Sequence, residues 1–466
     1  MPARDEMSID STQPLHDLPL TELARRLRVR ELDARDLADH FIDRIRAHPD
    51  PAVFIAVTAD LAREQAERSA ARWRAGKPAG AWDGVPLAWK DNIDVAGTAT
   101  TAGSALRRDE PPAQRDAIVA AHAHAAGMVT LGKTNLSEFA YTALGLNPHY
   151  GTPRNPRAMD QPRAPGGSSS GSAVAVAAGL APAAIGTDTG GSVRTPAAFN
   201  GLVGFKPAPG RYDMGGVFPL SASLDTVGFF VRHAVDCQGM DAMLRGAAIE
   251  ATPVAADDAL SGLTMLVPDD AALGELEPAV AASFEHAIER LRDAGARISR
   301  RQIPELDAAR ALVERHGALA SAEAYAAHRA VLDSPRHTAM DPFVARRILA
   351  GKSMSEADVD ALQRGRAALA RTLAASLGED TLLVMPTVPH VAPPLKDLQA
   401  DLASFTAINL RTIRNTSVGN LLDLCGLTLP GEPGAAGMPT GIMFHAAAGG
   451  ESALLARARA LEAALK

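Results

Sequence analysis

Cysteine and aromatic residues are scarce in this sequence of 466 residues. The two cysteines, Cys237 and Cys425, lie far apart and outside any Cys-x-x-Cys pattern, which excludes the usual cysteine-rich zinc sites. A disulfide between them stays open, but so few cysteines are more typical of the reducing cytoplasm. Aromatic residues make up only 4% of the chain, which predicts closely packed helices of small residues with few large rings between them.

An excess of positive charge and a long apolar run are absent as well. The net charge is -7 and no run of lysine or arginine occurs, so we expect no nucleic-acid partner. The longest apolar stretch, residues 172–185, is interrupted by Gly179 and Pro182 and is too short to span a membrane. Residues 1–10 are polar and lack the apolar core of a signal peptide. The sequence therefore predicts a cytoplasmic protein without a membrane segment.

The sequence does contain a regular alternation of helical and strand-like segments. Residues 19–48 repeat apolar side chains at helical spacing, and Asp33 is a favourable helix N-cap within them. Short apolar strands at 128–131 and 183–185 lie in a region, 82–209, that is dense in glycine, proline and small polar residues. Alternating strands and helices are typical of an α/β layer structure.

The domain organisation follows from the absence of obvious boundaries. No tandem repeat and no long low-complexity linker separates the structured segments, which predicts a single domain over residues 1–466. Residues 1–17 are predicted to be a flexible N-terminal segment. Residues 305–378 are charged, rich in helix-forming residues and low in glycine, which predicts either a lid or an inserted helical layer.

The first segment that points to chemistry is GVPLAWKDNIDVAGTATTAGS, residues 84–104. Lys90 ends its apolar stretch and is followed by Asp91 and Asn92. A lysine at the end of a strand is most often exposed to solvent. The alternative is a buried lysine whose pKa is lowered until the neutral amine can act as a base.

The second segment, PGGSSSGSAVAVAAG at residues 165–179, places glycines and serines before a helix of small residues. Backbone N–H groups at a helix start can bind phosphate, but the run lacks the Gly-Lys-Ser/Thr ending of a P-loop. It also lacks the glycine spacing of a dinucleotide site. A flexible linker is the simplest interpretation, although the apolar flanks argue against it.

The third segment is GTDTGGSVRTPAAFNGLVGFKP, residues 186–207. Consecutive Gly190 and Gly191 before Ser192 leave the backbone free to direct several N–H groups at one point, as an oxyanion hole requires. Asp188 and Arg194 flank this turn, and their opposite charges allow them to pair across it.

Together these three segments resemble the amidase signature family. The resemblance extends from about residue 18 to residue 463 and is strongest over residues 84–231, where the GGSSSG, GTDTGGSVR and GFKP motifs follow in order. The spacing of Ser168 and Ser192 also matches the family. The resemblance implies an α/β fold with a large mixed, twisted β-sheet covered on both faces by many α-helices. Ser170 stands where many members carry glycine, a familiar variant.

The resemblance implies a Ser-cisSer-Lys triad that works without a metal or another cofactor. Ser192 is the expected nucleophile, and Lys90 is the expected base. Ser168 is expected to bridge them and to follow a cis peptide bond from Gly167. A serine hydroxyl is a weak nucleophile until a base removes its proton. The lysine must therefore be neutral near pH 7, which requires a fall of about three pKa units and costs roughly 4 kcal/mol.

The resemblance also implies which groups surround this triad. It assigns the oxyanion hole to four consecutive backbone N–H groups, those of Thr189, Gly190, Gly191 and Ser192. It assigns supporting roles to Ser169, Asp188 and Arg194. The less standard segment 211–220 is expected to lie near the mouth of the pocket and to influence substrate choice.

Three functions are consistent with these residues. The first is a stand-alone amidase that cleaves a small or medium carboxamide, with a homodimer left open. The second is the ammonia-supplying A subunit of a glutamyl-tRNA amidotransferase-like complex, which the helical stretch 305–378 disfavours because it lacks that protein's usual aromatic and glycine landmarks. The third is an inactive scaffold that binds a ligand, which the intact triad positions disfavour. The sequence does not identify the acyl and amine parts of the substrate.

Overall fold

Eleven strands form one continuous β-sheet in the part of the chain that is described. The structure is a computed structural model that describes residues 13–158, 161–250, 260–269, 273–399 and 401–466. The strands are β1 (Phe54–Val57), β2 (Pro86–Lys90), β3 (Val129–Thr134), β4 (Ala183–Asp188), β5 (Val203–Lys206), β6 (Thr226–Val231), β7 (Thr264–Pro268), β8 (Arg297–Arg301), β9 (Thr381–Pro386), β10 (Cys425–Pro430) and β11 (Gly441–Ala446).

The sheet is mixed, and its order is β1-β3-β2-β4-β6-β5-β10-β11-β9-β7-β8. Strand β2 is parallel to both β3 and β4, and β7 is parallel to both β8 and β9. The other neighbours are antiparallel. Strands β2 to β6 are buried at each position, which requires cover on both faces of the sheet. The predicted α/β fold with a large mixed sheet is therefore confirmed.

Helices supply this cover, and their bounds in the described residues are α1 (Leu20–Arg28), α2 (Ala34–Ala47), α3 (Ala59–Arg74), α4 (Ile118–Ala125), α5 (Ser170–Ala177), α6 (Arg194–Asn200), α7 (Cys237–Leu244), α8 (Pro278–Asp293), α9 (Pro304–His316), α10 (Leu319–Leu332), α11 (Pro342–Leu349), α12 (Glu356–Ser376), α13 (Leu395–Leu398), α14 (Leu402–Ile413), α15 (Thr416–Leu421), α16 (Glu451–Ala456) and α17 (Ala458–Leu465). Across the described residues, no helix combines the length and apolar character needed to cross a membrane.

The helical run predicted over residues 19–48 is divided into α1 and α2. Arg30 lies between the two helices with φ of 62°, a left-handed conformation that a continuous helix does not accommodate. Asp33 caps the second helix as predicted, because its side chain accepts a hydrogen bond from the backbone N–H of Arg35.

Two further segments, residues 1–17 and 305–378, were assigned separate roles from the sequence. Most of residues 1–17 lies outside the described residues, and the last part, Leu15–Asp17, is a short 3-10 helix. The carbonyl oxygen of Asp17 contacts Nε2 of His233 at 3.1 Å. Residues 305–378 consist largely of the helices α9 to α12, joined by short 3-10 segments.

The sheet brings two of the predicted site segments to one edge. Lys90 is the last residue of β2 and Asp188 is the last residue of β4. These strands are parallel neighbours, with Ala88 opposite Ala184, so their carboxyl ends lie side by side. In α/β sheets this edge is where ligands bind, because the connecting loops converge there.

Candidate active site

Lys90 is fully buried at the carboxyl end of β2. Its Nζ lies 2.7 Å from Oγ of Ser168 and 2.7 Å from Oγ1 of Thr187. Burial lowers the pKa of Lys90 to about 7, although the nearby carboxylates of Asp188 and Asp225 oppose this change. A substantial fraction of the side chain is therefore an uncharged amine at neutral pH, as a base requires.

Ser168 begins the turn into α5 and is fully buried. The peptide bond between Gly167 and Ser168 is cis, which confirms the expectation from the resemblance. The carbonyl oxygen of Ser168 accepts hydrogen bonds from the N–H groups of Ser137 and Ser170, at 3.0 and 2.9 Å. A side chain at position 167 would meet the backbone nitrogen of Gly145 at 2.6 Å, so only glycine fits there. The backbone around Ser168 is thus held on both sides.

Ser192 lies in the loop that leads from β4 to α6, at the wall of a cavity of about 400 Å³. Its carbonyl oxygen accepts a hydrogen bond from the N–H of Ser169 at 3.3 Å, which joins this loop to the turn that carries Ser168. The Oγ of Ser169 in turn donates to the carbonyl oxygen of Thr187 at 3.2 Å. Ser192 reaches the cavity, while Ser168 and Lys90 are enclosed behind it.

The carboxylate of Asp188 organises the loop around Ser192. Its two oxygens accept from Nη2 and Nε of Arg194, at 3.0 and 3.1 Å, in a fully buried ion pair. They also accept from the N–H groups of Gly191 and Val193 and from the side-chain amide of Asn420. Burial alone would raise the pKa of Asp188, but the ion pair with Arg194 holds it well below its usual range. The carboxylate is therefore charged and keeps the loop in one conformation.

The predicted oxyanion hole needs one correction. The N–H of Gly191 donates to Oδ1 of Asp188 at 2.8 Å, so this donor is used to brace the loop and is not directed at the cavity. Thr189, Gly190 and Ser192 do line the cavity. Their N–H groups have no hydrogen-bond acceptor in the described part of the chain. Three of the four predicted donors therefore stay candidates for an oxyanion hole.

Replacing Gly191 by alanine is expected to lower the melting temperature by several degrees and to lower activity with it. Gly191 has φ of 126°, and a Cβ there would meet Oγ1 of Thr416 at 2.1 Å. The left-handed backbone and the overlap each cost about 1–3 kcal/mol. Gly190 is the matched control, because a Cβ at that position meets no atom within 4 Å. Circular dichroism melts of both variants test this, and equal melting temperatures would contradict it.

Comparison with known proteins identifies the family. A family model described as Amidase matches residues 36–455. The chain belongs to the amidase signature family. This is a family of hydrolases that act on carbon–nitrogen bonds, and the prediction from the three sequence segments is confirmed.

Individual relatives of this amidase-family chain cover almost its whole length. It is 36% identical over 454 residues to 2-amino-5-chloromuconic acid deaminase from Comamonas testosteroni, with 96% of each chain covered. It is 34% identical over 471 residues to the A subunit of glutamyl-tRNA(Gln) amidotransferase from Ralstonia nicotianae, with 91% of this chain and 93% of the relative covered. A crystal structure of an amidase superposes with a TM-score of 0.85 and 32% identity, over 96% of this chain and 100% of the other.

Apart from segment 211–220, the walls of the cavity in this amidase-family protein were not predicted from the sequence. They come from segments far apart in the chain, including helices α9, α10, α14 and α15. The aliphatic lining includes Leu220, Leu224, Val313, Leu319, Ile413 and Leu421. The charged lining residues are Arg310, Arg347, Arg414 and Glu314. No local motif marks the helical positions among them, because each becomes part of the site only when its helix packs over the edge of the sheet.

Segment 211–220 contributes less to the cavity than expected. Of its residues only Leu220 belongs to the cavity lining. Arg211 and Tyr212 instead contact the carboxylate of Asp241, which accepts from both side chains. Of segment 211–220, the structure thus brings Leu220 to the cavity, while an ion pair holds Arg211 against Asp241.

A partner of Lys90, Thr187, and the residue that contacts this partner, Asn92, were also missed, although both lie within the quoted segments. Thr187 precedes Asp188 in the GTDTGGS motif, and Asn92 follows Lys90 by two residues. The Nδ2 of Asn92 donates to Oγ1 of Thr187 at 3.0 Å. The same oxygen atom lies 2.7 Å from Nζ of Lys90, so Asn92 helps to hold it in place. The proximity of Asn92 to Lys90 in the sequence was the available signal.

Proposed function

We propose that this protein is an amidase that hydrolyses the C–N bond of a small or medium carboxamide through an acyl-enzyme on Ser192. The observation that carries the proposal is the 2.7 Å contact between Nζ of Lys90 and Oγ of Ser168, enclosed beside the loop of Ser192. A buried amine that is partly neutral at pH 7 has the properties of a general base. Ser192 borders the cavity in which a substrate would lie.

In the proposed reaction a proton passes from Ser192 to Lys90 and then returns to the leaving nitrogen. The Oγ of Ser192 attacks the carbonyl carbon while its proton passes to Ser168, and the proton of Ser168 passes to Nζ of Lys90. The N–H groups of Thr189, Gly190 and Ser192 stabilise the negative oxygen of the tetrahedral intermediate. Collapse breaks the C–N bond, and the leaving nitrogen takes the proton back. Water then attacks the ester by the same route and releases the carboxylic acid.

The charge of the cavity supports an acyl part that carries a negative group. Three arginines and one glutamate are among its lining residues. The guanidinium of Arg347 lies 4.8 Å from the ring centre of Tyr141, and its Nε and Nη1 have no hydrogen-bond partner among the described residues. Arg310 pairs with Asp307 through Nη1, while its Nε and Nη2 also lack a partner in the described chain. The name of the Comamonas relative indicates a dicarboxylic acid as its substrate, which is consistent with this charge.

An amide substrate with a distal carboxylate is therefore expected to have a higher kcat/KM than the same amide with that carboxylate blocked as a methyl ester. The ratio of the two kcat/KM values measures the preference for the carboxylate. One charge-assisted hydrogen bond contributes about 1.5–3 kcal/mol, which corresponds to roughly 10–100-fold in kcat/KM. Arg310→Gln and Arg347→Gln should reduce that ratio. Arg364→Gln is the control, since Arg364 lies on α12 with 75% of its side chain exposed. A ratio near one in the unmodified protein would exclude a carboxylate site.

The proposed activity is tested by a screen of substrates. Primary amides, anilides, ureido compounds and glutamine are each incubated with the purified protein, and product formation is followed. Mass spectrometry of a rapidly quenched reaction then locates the acyl group. We expect an adduct on the peptide that contains Ser192, and an active protein with no adduct at Ser192 would contradict the mechanism.

The second candidate is the glutaminase component of an amidotransferase-like complex, as the similarity to the Ralstonia relative suggests. A glutaminase assay and gel filtration after co-expression with candidate partners separate the two functions. Hydrolysis of glutamine only in a stable complex would favour the amidotransferase component, and turnover of other amides by the isolated chain would favour the stand-alone enzyme. A cytoplasmic location and a homodimer stay predictions from the sequence.

A further inference from the structure

Asp225 makes three hydrogen bonds that connect two walls of the cavity. Its Oδ1 accepts from Oγ1 of Thr189 at 2.5 Å. Its Oδ2 accepts from the backbone N–H groups of Leu220 and Ser221, at 2.8 and 2.9 Å. Both Thr189 and Leu220 line the cavity. One carboxylate thus joins the loop of Ser192 to the segment that carries Leu220.

We infer that Asp225 is a positioning residue for the oxyanion hole, acting through the hydroxyl of Thr189. This inference rests on the proposed function, because the N–H of Thr189 is one of the three proposed oxyanion donors. Such donors act only when they lie within hydrogen-bond distance of the developing charge, so a small displacement weakens them. Hydrogen bonds to a carboxylate are stronger than those between neutral groups, which suits Asp225 to this task.

The same segment is attached to α10, which also lines the cavity through Leu319 and Ala320. Glu323 on α10 accepts from Oγ of Ser221, at 2.5 Å, and from both the N–H and Oγ of Ser223, at 3.0 and 2.6 Å. Asp225 lies two residues after Ser223. The loop of Ser192 is therefore connected to α10 by a short chain of hydrogen bonds in which Asp225 is the link nearest the reaction.

Asp225 also affects the charge state of Lys90. The groups whose charges act on Lys90 are Asp188 and Asp225, and both carboxylates favour its protonated form. Removing the charge of Asp225 should lower the pKa of Lys90 and extend activity to lower pH. Removing the hydroxyl of Thr189 takes away one hydrogen bond that favours the charged form of Asp225, so it should move the pH dependence in the same direction but by less. The sizes of the two pH shifts therefore separate a positional effect from an electrostatic one.

The experiment measures the rate at which a fluorophosphonate probe labels Ser192 in the full chain, between pH 5 and pH 9. Ser192 Oγ forms a bond to phosphorus as fluoride leaves, so no knowledge of the natural substrate is needed. We expect Thr189→Val to slow labelling by about tenfold, less than the loss of a whole oxyanion donor, and to move the pH midpoint less than Asp225→Asn does. Asp225→Asn should slow labelling at least as much and move the midpoint to lower pH. Asp360→Asn is the control, because Asp360 has 69% of its side chain exposed on α12.

The double variant provides the remaining test. If Asp225 acts through Thr189, the double variant should be hardly slower than Asp225→Asn alone, because the second change removes nothing further. The inference would be overturned if the double variant were slowed by the product of the two single effects on the labelling rate. It would also be overturned if the Thr189→Val protein were labelled at the unmodified rate. Circular dichroism establishes that each variant is folded, and a poorly folded Asp225→Asn leaves Thr189→Val as the deciding protein. Failure to label Ser192 in the unmodified chain would instead refute the proposed function.

Discussion

Replacing Ser192 by alanine is expected to lower kcat by roughly 10⁶-fold, the loss typical of removing a serine nucleophile. The substitution takes away the only atom that can form the proposed acyl-enzyme, while the Asp188–Arg194 ion pair and the bond from Ser169 to the backbone of residue 192 stay in place. The fold should therefore be unchanged, and circular dichroism should report the same melting temperature within a few degrees.

Ser417 offers a matched control, since its side chain lines the same cavity as that of Ser192. Ser417→Ala removes a hydroxyl of the same kind and should retain turnover and the acyl adduct. Mass spectrometry of the Ser192→Ala protein should find no adduct at any position. Retained full activity in that protein would mean that the nucleophile is another residue.

Replacing Lys90 by methionine is expected to lower kcat by about 10²–10⁴-fold, the contribution of a positioned general base. Methionine is unbranched and similar in length, so it fills the space without an amine. Burying an ionisable group opposes folding, so the gain from removing it offsets the loss of the hydrogen bonds that Lys90 makes to Ser168 and Thr187. Activity should therefore fall while the melting temperature does not. A loss of both in parallel would indicate a structural role for the amine.

The pH dependence of the unmodified protein provides the second measurement on Lys90. Only the neutral amine accepts a proton, so kcat/KM should rise as the pH passes through the pKa of Lys90, about 7, and should level off above it. Lys352→Met is the control, because the exposed Lys352 pairs with Asp333 and neither residue belongs to the cavity lining. A rate that stays constant down to pH 5 would be inconsistent with a neutral lysine as the base.

These results together would distinguish the groups that react in the site from the groups that only position them. Ser192 and Lys90 supply the reacting oxygen and the proton acceptor. Asp188 and Asp225 supply neither, yet each accepts hydrogen bonds from the loop that carries the proposed oxyanion donors. A buried charge used for positioning adds a cost to folding that ordinary core residues do not have. We therefore expect these carboxylates to fix the positions of the donors while lowering the free energy of unfolding.

The sequence alone identified the residues that carry the proposed chemistry. Ser168 and Ser192 lie in glycine-rich turns that lead into a helix, and such local patterns dictate local backbone geometry. The capping of α2 by Asp33 was predictable for the same reason, since a cap involves residues two or three positions apart. The break at Arg30 was not, because no glycine or proline marks it.

Only the tertiary structure decided what surrounds those residues. Whether Lys90 is an exposed lysine or a base depended on which segments cover it, and Thr187 lies almost a hundred positions away in the chain. The brace from Asn420 to Asp188, the link from Asp225 to Thr189 and the arginines of the cavity were equally invisible in the sequence. The physical reason is that a backbone turn is set by neighbours in the chain, whereas desolvation and charge pairing are set by neighbours in space.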